Sequence, residues 1–474
     1  MVRSKKIAGL VLAAGLAVGG LTASTAGAAS AASSTCGGSG QVTTVNGTLA
    51  DGATYLIQCP SGTWNGTLYL YSHGYVNPGS KTNPARDVGD PVTGQYMLDH
   101  GYALAGSSYA STGWAIADAL PDQIGTLDTF GGLYGKPKTT VAWGHSLGGI
   151  ITAGLIQDYP NRFNAALPMC GVLSGGVATW NTALDAEFAF QKLINPAVQI
   201  VNITNPAANL QAAEAAGAQA QATPQGQARL ALVSALGDTP GWFDPSMPEP
   251  AANDYTAQEA NQFLWGSQVT FPFVFAFRAE LEARAGGNPS WNTGVNYFSD
   301  LAKSADFKEV VALYQAAGLS LTKDLLTLNR APRVKASPNA EAYLIKNISF
   351  NGRISVPVLT MHTTGDGLVV PENEQAYRSA VDRTFRANLL RQVFVHRAGH
   401  CTFTPAETVT AVQTLENRLA TGQWHVPSPA AMNAQAAALG PHLNIFTGGV
   451  ATPPAFIRYS PAVYLRPFNL VPRF

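Results

Sequence analysis

Short β-rich apolar runs alternate along this chain with helical patterns, and that alternation narrows the fold more than any other feature. Residues 66–72 read as a strand ending at His73-Gly74, and 102–107 as the next strand. A helical stretch over 115–134, a buried strand at 139–143, an apolar helix over 147–159 and a strand at 163–169 follow. This spacing calls for a mostly parallel sheet with helices on both faces. The pattern breaks after Cys170, where Ala/Gln/Leu-rich helical segments at 207–222, 226–236 and 307–318 are interrupted by Gly/Pro-rich stretches at 237–241 and 244–250. It resumes with a strand at 354–361, a helix over 372–390, a strand at 392–396 and a closing helix over 405–419. The fold class is therefore α/β. One core is expected in two parts, 32–172 and 345–422, around a large, mainly helical insertion at 173–344. A Pro-rich tail, 423–474, carries Phe456, Tyr459, Tyr464 and Phe468 and is expected to pack on the core in extended form.

Residues 1–31 read as an address. Arg3, Lys5 and Lys6 precede an apolar stretch at 7–21, and Ala-x-Ala sites follow at Ala26-Gly27-Ala28 and Ala29-Ser30-Ala31. About 15 apolar residues fall short of the roughly 20 that span a bilayer, and no later run reaches that length. A cleaved signal peptide and a secreted protein without an integral membrane segment are expected. With 29 Lys+Arg against 29 Asp+Glu, only 12% charged and 46% hydrophobic residues, the 474-residue chain is a folded globular protein. No basic run supplies a surface for tracking phosphates, so nucleic acid is excluded as a partner.

Export changes how the 4 cysteines are read, because an oxidising compartment favours disulfides over metal thiolates. Cys36 and Cys59 lie close in sequence. Cys170 and Cys401 each follow an apolar run at the end of a core strand. Of the three possible pairings, Cys36–Cys59 with Cys170–Cys401 is expected. No C-x-x-C or H-E-x-x-H spacing occurs, so neither a metal nor another cofactor is expected.

Gly144-His-Ser-Leu-Gly148 lies directly between the strand ending at Trp143 and the helix beginning near Leu147. A tight strand-to-helix turn lifts a serine hydroxyl above the sheet edge, and small residues two before and two after it let the backbone pack. Roughly 0.3 chance matches to G-x-S-x-G are expected in a chain of this length, so the flanking strand and helix give the motif its weight. Ser146 is the candidate nucleophile.

At this motif the chain resembles the α/β-hydrolase superfamily, over residues 50–172 and 345–422, with the insertion where that family carries a cap. The resemblance implies the order serine, acid, histidine. Thr363-Thr-Gly-Asp-Gly-Leu-Val-Val-Pro371 is similar to the family's acid loop and nominates Asp366. Arg397-Ala-Gly-His-Cys401 is similar to its histidine loop and nominates His400. A neutral hydroxyl attacks poorly unless an imidazole takes its proton, and a carboxylate on the other ring nitrogen fixes the tautomer. The oxyanion would be held by the backbone N–H groups of Leu147 and, in the loop after His73-Gly74, Tyr75.

His362 and His396 fall inside strands, where a satisfied core histidine or one supporting the site is the simpler reading. His145 is expected to pack beneath the nucleophile and His73 to order the oxyanion loop. Glu372 and Glu374 open a helix, where carboxylates suit the dipole. Some tannase and feruloyl-esterase relatives resemble the chain in having a cysteine after the histidine, which suggests phenolic esters. Their pattern also puts a cysteine before the serine, where this chain has His145. Ser107-Ser-Tyr-Ala-Ser-Thr-Gly-Trp114 either lines the pocket with Tyr109 and Trp114 or forms a surface turn. Phe271, Phe273, Phe275 and Phe277, at every second position, either face the core or line an apolar acyl pocket.

The resulting expectation is a secreted serine hydrolase that cleaves carboxylic esters, of small molecules or polymers, through an acyl-enzyme. A peptidase or amidase on the same fold, an acyltransferase and a non-catalytic binding protein are the alternatives.

Overall fold

The computed structural model describes residues 35–446 and 449–470, so the signal-peptide reading of 1–31 lies outside the described residues. Nine strands form one sheet: β1 (Thr43–Thr48), β2 (Thr54–Cys59), β3 (Thr67–Ser72), β4 (Ala103–Ser107), β5 (Thr139–His145), β6 (Ala165–Met169), β7 (Val358–Gly365), β8 (Leu390–Ala398) and β9 (Phe456–Ile457). Their spatial order is β1-β2-β4-β3-β5-β6-β7-β8-β9. The pairs from β4 through β3, β5, β6 and β7 to β8 are parallel, while β1–β2, β2–β4 and β8–β9 are antiparallel.

Both faces of the sheet are buried, and the two-residue strand period sorts side chains between them. Tyr69, Tyr71, Val141 and Trp143 join an apolar cluster with residues of α1 (Pro91–Asp99) and of two C-terminal helices. Leu68, Leu70 and Ala142 join another, with residues of α2 (Ile116–Tyr134) and α3 (Leu147–Asp158). This doubly covered, mostly parallel sheet, with a tight strand-to-helix turn between β5 and α3, is the α/β-hydrolase fold.

Between β6 and β7 the chain builds a helical body: α4 (Gly176–Leu193), α5 (Pro206–Gln221), α6 (Pro224–Leu236), α7 (Tyr255–Trp265), α8 (Arg278–Ala285), α9 (Tyr297–Leu301), α10 (Phe307–Ala316), α11 (Leu321–Arg330) and α12 (Pro338–Lys346). It has its own apolar cluster, with Phe188, Phe190, Leu232, Phe275 and Tyr314 among its members. The core then continues through α13 (Glu372–Asp382) and α14 (Pro405–Thr421) to α15 (Pro429–Ala438). Asn433 of α15 bonds both the N–H and the carbonyl of Phe456, fastening the short β9.

Two boundaries and one element type differ from the sequence reading for a local physical reason. β7 begins at Val358 rather than at 354, because Pro357 has no N–H for a ladder. The helix expected to reach 390 ends at Asp382: Phe385 turns left-handed, with φ 58°, and Thr384 bonds Gly352 O, freeing the chain to enter β8 at Leu390. The phenylalanine-rich run forms neither a strand nor a regular α-helix; Gly266–Thr270 and Phe273–Phe277 are π-helical turns.

Candidate active site

The sterics of the β5–α3 turn explain its glycines. Ser146 adopts φ 59°, a strained conformation for a residue with a side chain. A Cβ on Gly144 would lie 2.4 Å from the Ser72 carbonyl oxygen, and one on Gly148 only 1.9 Å from it, so neither position accepts a larger residue without moving β3. The Ser146 N–H donates to Met169 O at 3.0 Å, tying the turn to the end of β6. Across from it, the Gly74 backbone approaches closely enough that a Cβ there would be 3.8 Å from Ser146 Oγ. The loop bearing Tyr75 therefore runs beside the hydroxyl, and Tyr75, Ser146 and Leu147 border one cavity.

Asp366 follows β7 and is fully buried. Its Oδ1 accepts the N–H groups of Leu368 and Val369, each at 3.0 Å, and its Oδ2 lies 2.7 Å from His400 Nδ1. The loop after β8 that carries His400 is fastened on several sides. Gly399 N donates to Gly365 O at 3.0 Å, and the Thr363 hydroxyl donates to Gly399 O at 2.9 Å. Arg397 makes a buried pair with Glu407 at 2.7 and 3.0 Å and also donates to Thr402 O at 2.8 Å. Glu407 is at the same time the N3 member of the Thr404 capping box that starts α14. Cys401 is disulfide-bonded to Cys170, and the second disulfide joins Cys36 to Cys59.

Ser146, Asp366 and His400 thus follow the C-terminal ends of β5, β7 and β8, where open α/β sheets gather ligands. His400 Nε2 lies 3.3 Å from Cys401 Sγ. Among the described residues the Ser146 hydroxyl has no hydrogen-bond partner, so the Asp366–His400 half of the constellation is closed and the Ser146–His400 half is open.

The remaining histidines separate by environment. His145 is half-buried, 3.1 Å from the Tyr71 hydroxyl; desolvation, then the proximity of His400, pushes its pKa down to about 4, so it stays neutral beside Ser146. His73 spans the carbonyls of Gly74 and Ser108 at 2.7 and 3.1 Å and stacks on Tyr109. His396 faces Glu249 at 3.4 Å, away from the cavity that Ser146 borders.

That cavity, of about 190 Å³, lies between core and helical body. Trp114 borders it and packs edge-on against Trp180 of α4. Tyr109 does not border it. Its hydroxyl donates to His73 O at 3.0 Å and its ring stacks on His73, so it braces the loop that bears Tyr75. Phe271, Phe273 and Phe275 border the cavity, and Phe271 and Phe275 also join the apolar core of the helical body. Tyr75 packs against Phe273 and Phe277, linking its loop to the same body. The sequence reading missed Trp180, Phe190 and Glu187 of α4, which form much of one wall. Their spacing, seven residues and then three, puts them on one helix face and was the available signal, but it does not say which neighbour they face. Burial pushes the Glu187 carboxyl up to about 8, with Arg278 3.5 Å away. Among the described residues, no group of three or more His, Cys, Asp and Glu is placed to hold a metal ion, and no helix is long and apolar enough to cross a membrane.

No family model matches the chain. It is 29% identical over 423 residues to an o-phthalyl amidase of Xanthobacter agilis, covering 83% of this chain and 90% of that protein. Among solved structures, the rice cell wall degrading esterase LipA of Xanthomonas oryzae aligns at 12% identity with a TM-score of 0.34, covering 80% of this chain and 87% of LipA. An esterase from Aspergillus oryzae aligns at 13% identity with a TM-score of 0.40, covering 80% and 79% of the two chains.

Proposed function

We propose that the protein is an exported serine hydrolase that cleaves carboxylic esters through an acyl-enzyme, with Ser146 as nucleophile, His400 as general base and acid, and Asp366 as the orienting carboxylate. The observation that carries this reading is the 2.7 Å Asp366–His400 bond, made by the loops after adjacent parallel strands and tethered by Cys401–Cys170 to the strand end that holds Ser146.

In this reading Ser146 Oγ attacks the ester carbonyl carbon while its proton passes to His400 Nε2. The ring moves from the Cys401 sulfur toward the hydroxyl as substrate binds; such bonds often tighten only in the Michaelis complex. The carbonyl oxygen becomes an oxyanion held by the N–H groups of Leu147 and Tyr75, each worth about 3–4 kcal/mol when preorganised. The acyl C–O bond then breaks, and His400 returns the proton to the leaving alkoxide. Water repeats the sequence on the acyl-enzyme, releasing the carboxylic acid and restoring Ser146. The apolar wall with Trp114, Phe271 and Phe273 suits the acyl group, and the two disulfides suit an oxidising compartment.

A second reading, amide hydrolysis, is favoured by the 29% identity to the o-phthalyl amidase, since a triad does not itself distinguish ester from amide. A fluorophosphonate probe should label wild-type protein at Ser146 and leave Ser146→Ala unlabelled; an active enzyme that escapes labelling would sink the serine mechanism. Turnover of matched aryl esters and anilides then ranks the two readings, and faster anilide cleavage would put amide hydrolysis first.

A further inference from the structure

We infer that His362 is held as a buried imidazolium behind Asp366, where it acts as a positioning residue that sets both the placement and the working pH of the Asp366–His400 pair. The inference rests on the proposed roles of those two residues.

His362 lies in β7 and is fully buried. Its Nε2 is 2.7 Å from Val369 O, and a backbone carbonyl only accepts, so Nε2 carries a proton. Its Nδ1 is 3.1 Å from Glu374 Oε1. The other oxygen of Glu374 accepts the Thr360 hydroxyl and the Gln392 amide, the latter at 2.5 Å. Donors therefore converge on the Glu374 carboxylate, and its Oε1 is placed to accept a second ring proton from Nδ1. His73 provides the contrast: it also faces two carbonyls, but burial lowers its proton affinity and no carboxylate bonds its ring. At His362 burial opposes the charge as well, yet the Glu374 bond, the charges of Glu374 and Asp366 and the Val369 carbonyl outweigh it and raise the pKa. The titratable groups facing the ring are Glu374 and Glu372 from α13, Asp366 from the following loop, and His400 beyond Asp366.

Asp366 is affected in two ways. Mechanically, His362 donates to Val369 O while Val369 N donates to Asp366 Oδ1, so the ring fixes the loop that presents the carboxylate. Electrostatically, His362 Nε2 stands 3.7 Å from Asp366 Oδ2, the same oxygen that holds His400 at 2.7 Å. A positive charge there opposes a second one on His400.

Selective ¹⁵N-histidine labelling reads the ring charge without turnover, and with 8 histidines in the chain the signals are assignable by single substitutions. Both His362 ring nitrogens should remain protonated through pH 8. In His362→Gln, and separately in Glu374→Gln, the acid limb of kcat/KM on an aryl ester should move up by about half to one pH unit, with kcat lowered roughly threefold to tenfold and KM little changed. A purely structural role would lower Tm and leave the limb in place. A neutral His362 ring at pH 7, or an unmoved limb in both variants, overturns the assignment. If Ser146 resists the fluorophosphonate, the serine mechanism fails; if it labels and the limb stays, only the His362 assignment fails.

Discussion

Cys170 and Cys401, 231 positions apart, are joined across the ends of β6 and β8 with Cα atoms 5.4 Å apart, and each is flanked by a residue of the candidate site's framework. Met169, just before Cys170, accepts the Ser146 N–H, and His400 directly precedes Cys401. Both cysteines adopt positive φ, 42° and 57°, so the bridge holds two backbone turns that their sequences would not choose. Reduction, or Cys401→Ser, should therefore abolish most of any turnover of an aryl ester while far-UV dichroism stays near native. Parallel activity and dichroism curves against dithiothreitol provide the check; full activity with both thiols free contradicts the tether.

Asp366→Asn retains the shape of the loop, since Oδ1 still meets the N–H groups of Leu368 and Val369, but the amide no longer offers His400 a carboxylate. A fall in kcat on the order of 10⁴ is expected, with Tm within a few degrees of wild type. Steady-state kinetics beside a thermal melt separate the two; a loss below tenfold would remove Asp366 from the reaction.

Arg397 and Glu407 form an almost fully buried ion pair, with side-chain exposures of 5% and 0%. Arg397→Met leaves the Glu407 charge without its guanidinium and should cost about 3–5 kcal/mol, loosening the His400 loop with it. Urea unfolding measures this. A cost under about 1 kcal/mol would mean that the capping box alone satisfies Glu407.

Buried carboxyls in the helical body give a signed pH prediction. Burial is the leading cause that pushes Glu187 up to about 8, Glu309 to about 9, and Asp306 and Glu259 each to about 7. Between their ordinary values near 4 and these raised ones, the folded protein keeps protons that the unfolded chain releases. Their contribution to stability is present at low pH and is lost as pH rises through about 7 to 9. Calorimetry should give a higher Tm at pH 5 than at pH 9; the reverse order would show that pairing, as between Glu187 and Arg278, outweighs burial.

The α/β class and the nucleophile turn were legible in the linear chain because they are local. Gly144 and Gly148 are required by backbone contacts within one strand-turn-helix unit and its neighbouring strand, and such a requirement is written in adjacent residues. Asp366 and His400 were nominated through the resemblance of their loops to those of the α/β-hydrolases, and the cysteine pairs from sequence closeness and strand ends. The sequence alone did not indicate that Tyr109 braces His73 instead of bordering the cavity, that α13 stops at Asp382, or that α4 supplies a cavity wall. Nor did it assign a charge to His362. Each of these depends on which distant element comes to cover a side chain, and burial and hydrogen-bond pairing are set only when the sheet and the helical body have closed around it. A residue's conformational needs are short-range; its solvent exposure, and hence its protonation, is a property of the assembled fold.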